Sequence, residues 1–464
     1  METILIKALQ LLCCLSLLVV LHEGGHFGFS KLFRVRVEKF YMFFNPYFHL
    51  FSTRDKWFTR LFPRFRDNET EYGIGWVPLG GYVKIAGMID ESMDTEQMQQ
   101  PAKPDEFRAQ KVWKRFFIMA GGVIVNLITA FVLYCAIMFT WGRDYLPMQQ
   151  MTQGFQFNEH ALSLGFQDGD IPVAADGHEI AEWNADVLRT LSQAHVVTVL
   201  RQGQQVDVQI AEKLNLLHML QEQPAFIAPV VPAVIDSVFG AIGNVGVQKG
   251  DRLLAVDGQD IRTWVDFDRV MQPRRDVLET EGCTAADSLR LRTLPIVVGK
   301  ADGRADTLSL QLDENYMLGL VRQTHLSLYT PQHQDYSLLT CIPAGLQHGW
   351  NVLCGYVSDL KYVASKDGAK SVGSFITIGS IFPSAWDWLR FWELTAFISI
   401  ILAVMNILPI PGLDGGHIVL LMYEAVTGHE PSEKFQEWAE RVGMFILCAL
   451  MLLAFGNDIV RFIL

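Results

Sequence analysis

His22-Glu23-Gly24-Gly25-His26 sets two imidazoles four residues apart with a carboxylate next to the first. On a helix, positions i and i+4 lie one above the other, so both rings can reach a single metal ion. Glu23 sits beside that face, where it can take a proton from a metal-activated water. The spacing occurs by chance in many helices. Here it follows the apolar run Ala8–Leu21, and ionisable side chains at the end of a lipid-facing helix call for a function. A catalytic zinc site needs a third protein ligand and one open position. Almost 400 residues later, Asn406-Ile407-Leu408-Pro409-Ile410-Pro411-Gly412-Leu413-Asp414-Gly415-Gly416-His417 interrupts another apolar stretch. Pro409 and Pro411 each remove an amide donor, and the glycines loosen the chain. A broken helix at membrane depth is tolerated where it faces protein or a water-filled cavity. Asp414 within that break is the expected third ligand, completing a His2Asp zinc site. The alternatives are Asp414 as a helix cap and His417, at i+3, as a competing ligand.

The elements that must hold these groups are membrane helices. Of the 464 residues, 50% are apolar and 19% charged, with 30 Phe and 11 Trp. That composition excludes a mainly disordered chain and points to a membrane. A net charge of -12 argues against a nucleic-acid partner. Seven scattered Cys and no CxxC exclude a disulfide scaffold and a zinc finger. Four stretches approach the length of about 20 residues that a bilayer requires: Ile4–Leu21 running on to Phe29, Phe116–Trp141, Leu389–Tyr423 and Val442–Phe455. No A-x-A site follows the first, so it is expected to remain as an uncleaved helix.

Residues 31–115 carry 15 Lys and Arg against 11 Asp and Glu, which places them on the cytoplasmic side. The long stretch from Arg143 to Asp387 and both termini are then expected across the membrane. Within 31–115, the run Tyr72–Ile85 is Gly-rich and β-prone, and it reads as a hairpin turning at Gly80-Gly81 and dipping toward the membrane. Its edge, through Gly80, Gly81, Tyr82 and Val83, could pair with an unwound substrate segment; an ordinary interfacial hairpin is the alternative. Asn126 stands alone in the second apolar helix, where a buried amide needs partners. It either supports the site or joins helices. Gly121 and Gly122 would permit close helix packing.

Residues 150–315 contain an internal repeat. Aligning Gly169-Asp170 with Gly250-Asp251 also aligns Asp176-Gly177 with Asp257-Gly258, and each copy reads as strand, Asp-Gly turn, strand. Leu338–Ala364 reads as an amphipathic surface helix rather than a further span. Cys283, Cys341 and Cys354 fall on the far side and could pair. Cys13, Cys14, Cys135 and Cys448 are expected to face lipid or core.

Taken in order, His22-Glu23-x-x-His26-Phe27, Val35–Phe40, Val77–Lys84, Gly121-Gly122-x-x-x-Asn126 and the Asn406–Asp414 break resemble the site-2 protease family of intramembrane zinc metalloproteases, specifically its bacterial envelope-stress branch. The resemblance covers nearly the whole chain. It implies that His22, His26 and Asp414 hold Zn2+ and that Glu23 is the general base. Asn406 would steady the substrate backbone or developing oxyanion, and Asn126, Pro409 and Pro411 would support the site. The repeats resemble tandem PDZ domains, acting as peptide binders or as spacers and filters. Where such relatives show Gly-Pro, this chain has Gly373-Ser374.

The expected fold is therefore a polytopic α-helical membrane protein with four transmembrane helices, a membrane-associated β-hairpin and two inserted extracytoplasmic PDZ-like α+β domains. Its expected segments are a first helix (1–31), a cytoplasmic loop with the hairpin (32–107) and a second helix (108–142). Then come PDZ-like domains (150–226 and 227–315), a periplasmic linker (316–388), a broken third helix (389–424) and a fourth helix (436–464). The expected partners are membrane lipid and single-span substrates, such as anti-sigma factors already trimmed by an upstream site-1 protease, or remnant signal peptides. The expected location is the bacterial inner membrane.

Overall fold

The computed structural model describes residues 2–65, 68–88, 101–239, 242, 246–279, 290–300, 302–312, 318–363, 365, 368 and 372–462. Cys283 and the repeat residue Val245 lie outside them. The chain divides into two units, residues 1–142 with 335–464, and residues 143–334.

The first unit is built on four helices long and apolar enough to cross a membrane. They are α1 (Glu2–Leu32), α3 (Val112–Trp141), α8 (Trp388–Ile407) and α10 (Glu433–Phe462). Local chemistry sets their ends. The Asp387 side chain caps α8 by accepting from the Arg390 amide. Gly142, at φ 65°, stops α3. After α8, the Pro409–Pro411 break turns the chain into α9 (Asp414–Thr427), which ends on Gly428 in the left-handed region. Buried Arg115 at the start of α3 pairs with Glu424 of α9 and, at 2.6 Å, with Glu430.

A four-stranded sheet lies along α1, not a hairpin. Its strands are β1 (Val37–Phe44), β2 (Phe51–Ser52), β3 (Glu71–Ile74) and β4 (Val77–Ile85), ordered β2-β3-β1-β4. Strand β1 separates β3 from β4, and Gly80-Gly81 falls inside β4 with no turn. These glycines answer to packing instead. A Cβ on Gly81 would stand 2.7 Å from the Tyr41 carbonyl oxygen and 2.9 Å from Val19, and one on Gly80 would stand 2.7 Å from the Phe44 ring. Tyr41 donates to Glu71 at 2.6 Å, and burial together with that bond raises its pKa.

The stretch expected as an amphipathic surface helix forms α6 (Cys341–Val363), and it packs along α3. Gly345 and Gly349 make this possible. A Cβ on the first would stand 2.5 Å from Cys135 Cα, and one on the second 2.7 Å from the Phe131 ring. Cys341 and Cys354, both on α6, are free thiols. Cys14 is buried, while Cys13 and Cys448 are exposed. The short helix α7 (Phe375–Ser380) packs against both α1 and α10. Lys7 donates to the Ser380 carbonyl at 2.7 Å. Fully buried Asp458 of α10 accepts from the amides and hydroxyls of Ser374 and Thr377. Four donors make a buried carboxylate tolerable there.

The second unit shows the repeat as structure. Strands β5 (Ile171–Ala175), β6 (His178–Glu179), β7 (Val196–Arg201) and β8 (Gln204–Gln209) order as β8-β7-β5-β6. Strands β9 (Arg252–Val256), β10 (Gln259–Asp260), β11 (Thr293–Gly299) and β12 (Ala305–Gln311) order as β12-β11-β9-β10, the same connectivity. Asp176-Gly177 and Asp257-Gly258 carry positive φ at both positions, as a tight two-residue hairpin requires. Buried Asp170 pairs with Arg201 at 2.7 Å, and buried Asp251 pairs with Lys300 at 2.6 Å. Each copy has its own apolar core. Helices α4 (Asp186–Gln193) and α5 (Trp264–Glu279) each supply part of one.

Candidate metal centre

Helices α1 and α3 cross where neither has a side chain. A Cβ on Gly25 would stand 2.2 Å from the Gly121 carbonyl oxygen, and one on Gly122 would stand 2.4 Å from His22 Cε1 and 2.6 Å from His26 Nε2. Glycine at these positions lets the α3 backbone lie against both imidazoles.

The break after α8 delivers Asp414 to the same point. The His22 and His26 Nε2 atoms are 3.3 Å apart, and Asp414 Oδ2 lies 3.3 and 3.4 Å from them. A tetrahedral centre with bonds of about 2.0–2.1 Å has edges of about 3.3–3.4 Å, so the three atoms form one face of such a tetrahedron. Among the described residues this is the only group of three His, Cys, Asp or Glu side chains placed to hold one ion. Asp414 Oδ2 is buried and accepts no hydrogen bond, an arrangement that a cation resolves.

The far sides of both rings are also engaged. His26 Nδ1 lies 2.8 Å from the Ile118 carbonyl oxygen, so it carries the proton and leaves Nε2 free to coordinate. His22 Nδ1 lies 3.2 Å from the amide nitrogen of Asn126, whose Oδ1 is buried without a partner. Turning that amide by 180° lets Oδ1 accept from an Nδ1–H of His22. Ser399 of α8 donates to the Asn126 carbonyl at 2.7 Å and fixes the backbone there.

The centre opens on a cavity of about 670 Å³. Glu23 lines it beside the imidazoles. Gly80, Gly81, Tyr82 and Val83 line it from the edge strand β4, and Asn406 from the end of α8. Asn126 stands behind His22, fully buried. Pro409 and Pro411 do not line the cavity. Pro411 instead packs on Gly443 of α10, and Gly416 fits under Ile410. His417 lines the cavity but turns to Glu440, 3.8 Å away, and stays outside the three-atom group.

Reading the sequence missed Glu440, Lys39 and Lys84, all of which line the cavity. Glu440 sits among charged residues before an apolar run, which reads as loop. The two lysines alternate with apolar residues in strands, where nothing marks their facing.

Comparison with known proteins follows the same residues. The chain matches Peptidase family M50 over residues 10–450. It is 28% identical to a Salmonella typhimurium protein named Regulator of sigma-E protease RseP, over 99% of this chain and 100% of that one. It is 27% identical to the Escherichia coli protein of the same name, over 96% and 97%. With a match spanning His22, Glu23, His26 and Asp414 alike, the chain belongs to peptidase family M50 and is a zinc metalloprotease.

Proposed function

We propose that the protein is an intramembrane endopeptidase that cuts single-span membrane proteins at the His22–His26–Asp414 centre. The observation that carries this reading is the triangle of donor atoms at the floor of a cavity, set between membrane-length helices and open toward one β-strand edge.

His22, His26 and Asp414 would hold the zinc beside the cavity. Bound there, it would polarise a carbonyl and acidify water. Glu23 takes the proton from the attacking water and passes it to the departing amine. Asn406 donates to the substrate backbone or the developing oxyanion. The edge of β4 pairs with the substrate as an added strand, which unwinds its helix and exposes the peptide bond.

The relatives' name ties them to sigma-E regulation; the substrates proposed for this chain are anti-sigma factors already trimmed by a first protease, with remnant signal peptides as a second kind. The two repeats act as PDZ-like modules on the periplasmic side of an inner membrane. They either bind a peptide end or filter substrates by size.

The test is metal analysis of the purified protein combined with cleavage of a synthetic transmembrane peptide, the cut located by mass spectrometry. About one zinc per chain and a cut inside the apolar segment are expected. A cut only in flanking polar residues would make the protein a membrane-bound peptidase acting outside the bilayer.

A further inference from the structure

We infer that residues 45–65, in the connection from β1 to β3, are an anchor for anionic phospholipid, in the leaflet at the C-terminal end of α1. The inference rests on the membrane-spanning helices and is independent of the peptidase chemistry.

The sheet runs along α1, so depth along it can be read from contacts. Near the end of α1, Lys31 pairs with Glu69, and Phe27 touches Phe40 and Tyr72. Further back toward the N-terminus, Gly81 packs on Val19. The 12 residues from Val19 to Lys31 span about 18 Å of helix. The turns at Tyr47–Phe48 and Trp76 lie at the end of the sheet remote from Leu32.

That deep end is apolar and open. Tyr47 is fully exposed, and Phe48 and Trp76 stack in parallel, 5.2 Å apart, while remaining about half exposed. The Trp76 indole N–H is satisfied internally by the Pro46 carbonyl at 2.9 Å. Its outer surface therefore asks nothing of water, as an aromatic side chain in acyl chains requires.

The shallow end has a different chemistry. Beside the start of β3, Thr53 bonds the Tyr72 carbonyl, level with Phe27. From there, helix α2 (Lys56–Leu61) and the residues after it expose Trp57, Leu61 and Phe62. Interleaved with these are Arg54, Lys56, Arg60 and Arg64, all exposed. The one acid between them, Asp55, is already held by His49 at 2.9 Å and by the Ser52 amide, while Arg54 pairs with Glu71 at 3.8 Å, so the excess rests on Lys56, Arg60 and Arg64. Trp57 and Phe58 pack back on Phe51, and the Lys31–Glu69 pair returns the chain to the end of α1. Apolar side chains with cations among them, between those two levels, match the acyl–headgroup boundary. The excess of cations selects anionic headgroups over zwitterionic ones.

The test uses the full-length protein in bilayers of equal phosphatidylcholine and phosphatidylglycerol. Electron paramagnetic resonance measures the relative association of spin-labelled forms of each lipid. The wild type should favour the phosphatidylglycerol probe, and salt should weaken that preference. The variant Arg54→Gln/Lys56→Gln/Arg60→Gln/Arg64→Gln should lose at least about fivefold of it, the weight of one basic residue at a membrane surface. An unchanged preference in that variant overturns the inference and assigns the patch to a protein partner. A second measurement needs no charge change. Brominated lipids should quench a fluorescence component that Trp57→Phe removes when the bromines are shallow, and one that Trp76→Phe removes when they are deep. Absence of both components overturns it equally.

Discussion

Gly122 of α3 lies directly against His26 of α1: a methyl group on it would stand 2.6 Å from the Nε2 atom that faces the centre. Two residues more than 90 positions apart in sequence, on different helices, thus share one site because one of them lacks a side chain there. Gly122→Ala must displace an imidazole or the helix, at a cost of about 1–3 kcal/mol in a packed site. Zinc affinity should fall about ten- to a hundredfold, as measured by competition with a chromogenic chelator, while far-ultraviolet circular dichroism stays unchanged.

Glu23 lines the cavity beside the donor triangle without belonging to it. Glu23→Gln should leave zinc stoichiometric and lower turnover of a transmembrane peptide by about 10²–10⁴, the usual weight of a general base. Near-normal turnover would remove Glu23 from the role.

Asp414 and His417 sit three residues apart, yet only Asp414 joins the triangle. Asp414→Ala should lose metal and activity together, whereas His417→Ala should keep its zinc. The reverse pattern in metal analysis would identify His417 as the ligand.

Asn126 is placed to orient His22 through Nδ1. Asn126→Leu should weaken zinc binding about ten- to a hundredfold, and Asn126→Asp, which keeps an acceptor, should recover most of it. Equal losses in both variants would point to packing alone.

The second unit begins and ends on one ladder, with Arg143 opposite Gln334. A short linker can therefore replace residues 143–334. The shortened enzyme should retain zinc and cut a pre-trimmed substrate, and it should also accept a substrate whose extramembrane domain is intact. Continued rejection of the intact substrate would show that these modules are not the filter.

Local features of the chain were legible because they depend on neighbours in sequence. His22 and His26 share a face by helical geometry alone, four apolar runs have membrane length, and the paired Asp-Gly turns announce the repeat. What depends on distant neighbours was not legible. Gly80-Gly81 reads as a turn because glycine permits one, but packing against Tyr41, Phe44 and Val19 requires the same residue inside a strand. Asp414 is the expected ligand with His417 as its competitor, and how α9 leaves the Pro409–Pro411 break is what turns Asp414 to the histidines. Glu440 reaches the cavity because α10 packs through Gly443 onto Pro411. Residue types and spacing thus determined which groups could do chemistry. Only the crossing of α1 and α3 at Gly25, Gly121 and Gly122 decided where they meet, because backbone approach is set by the side chains that both helices lack.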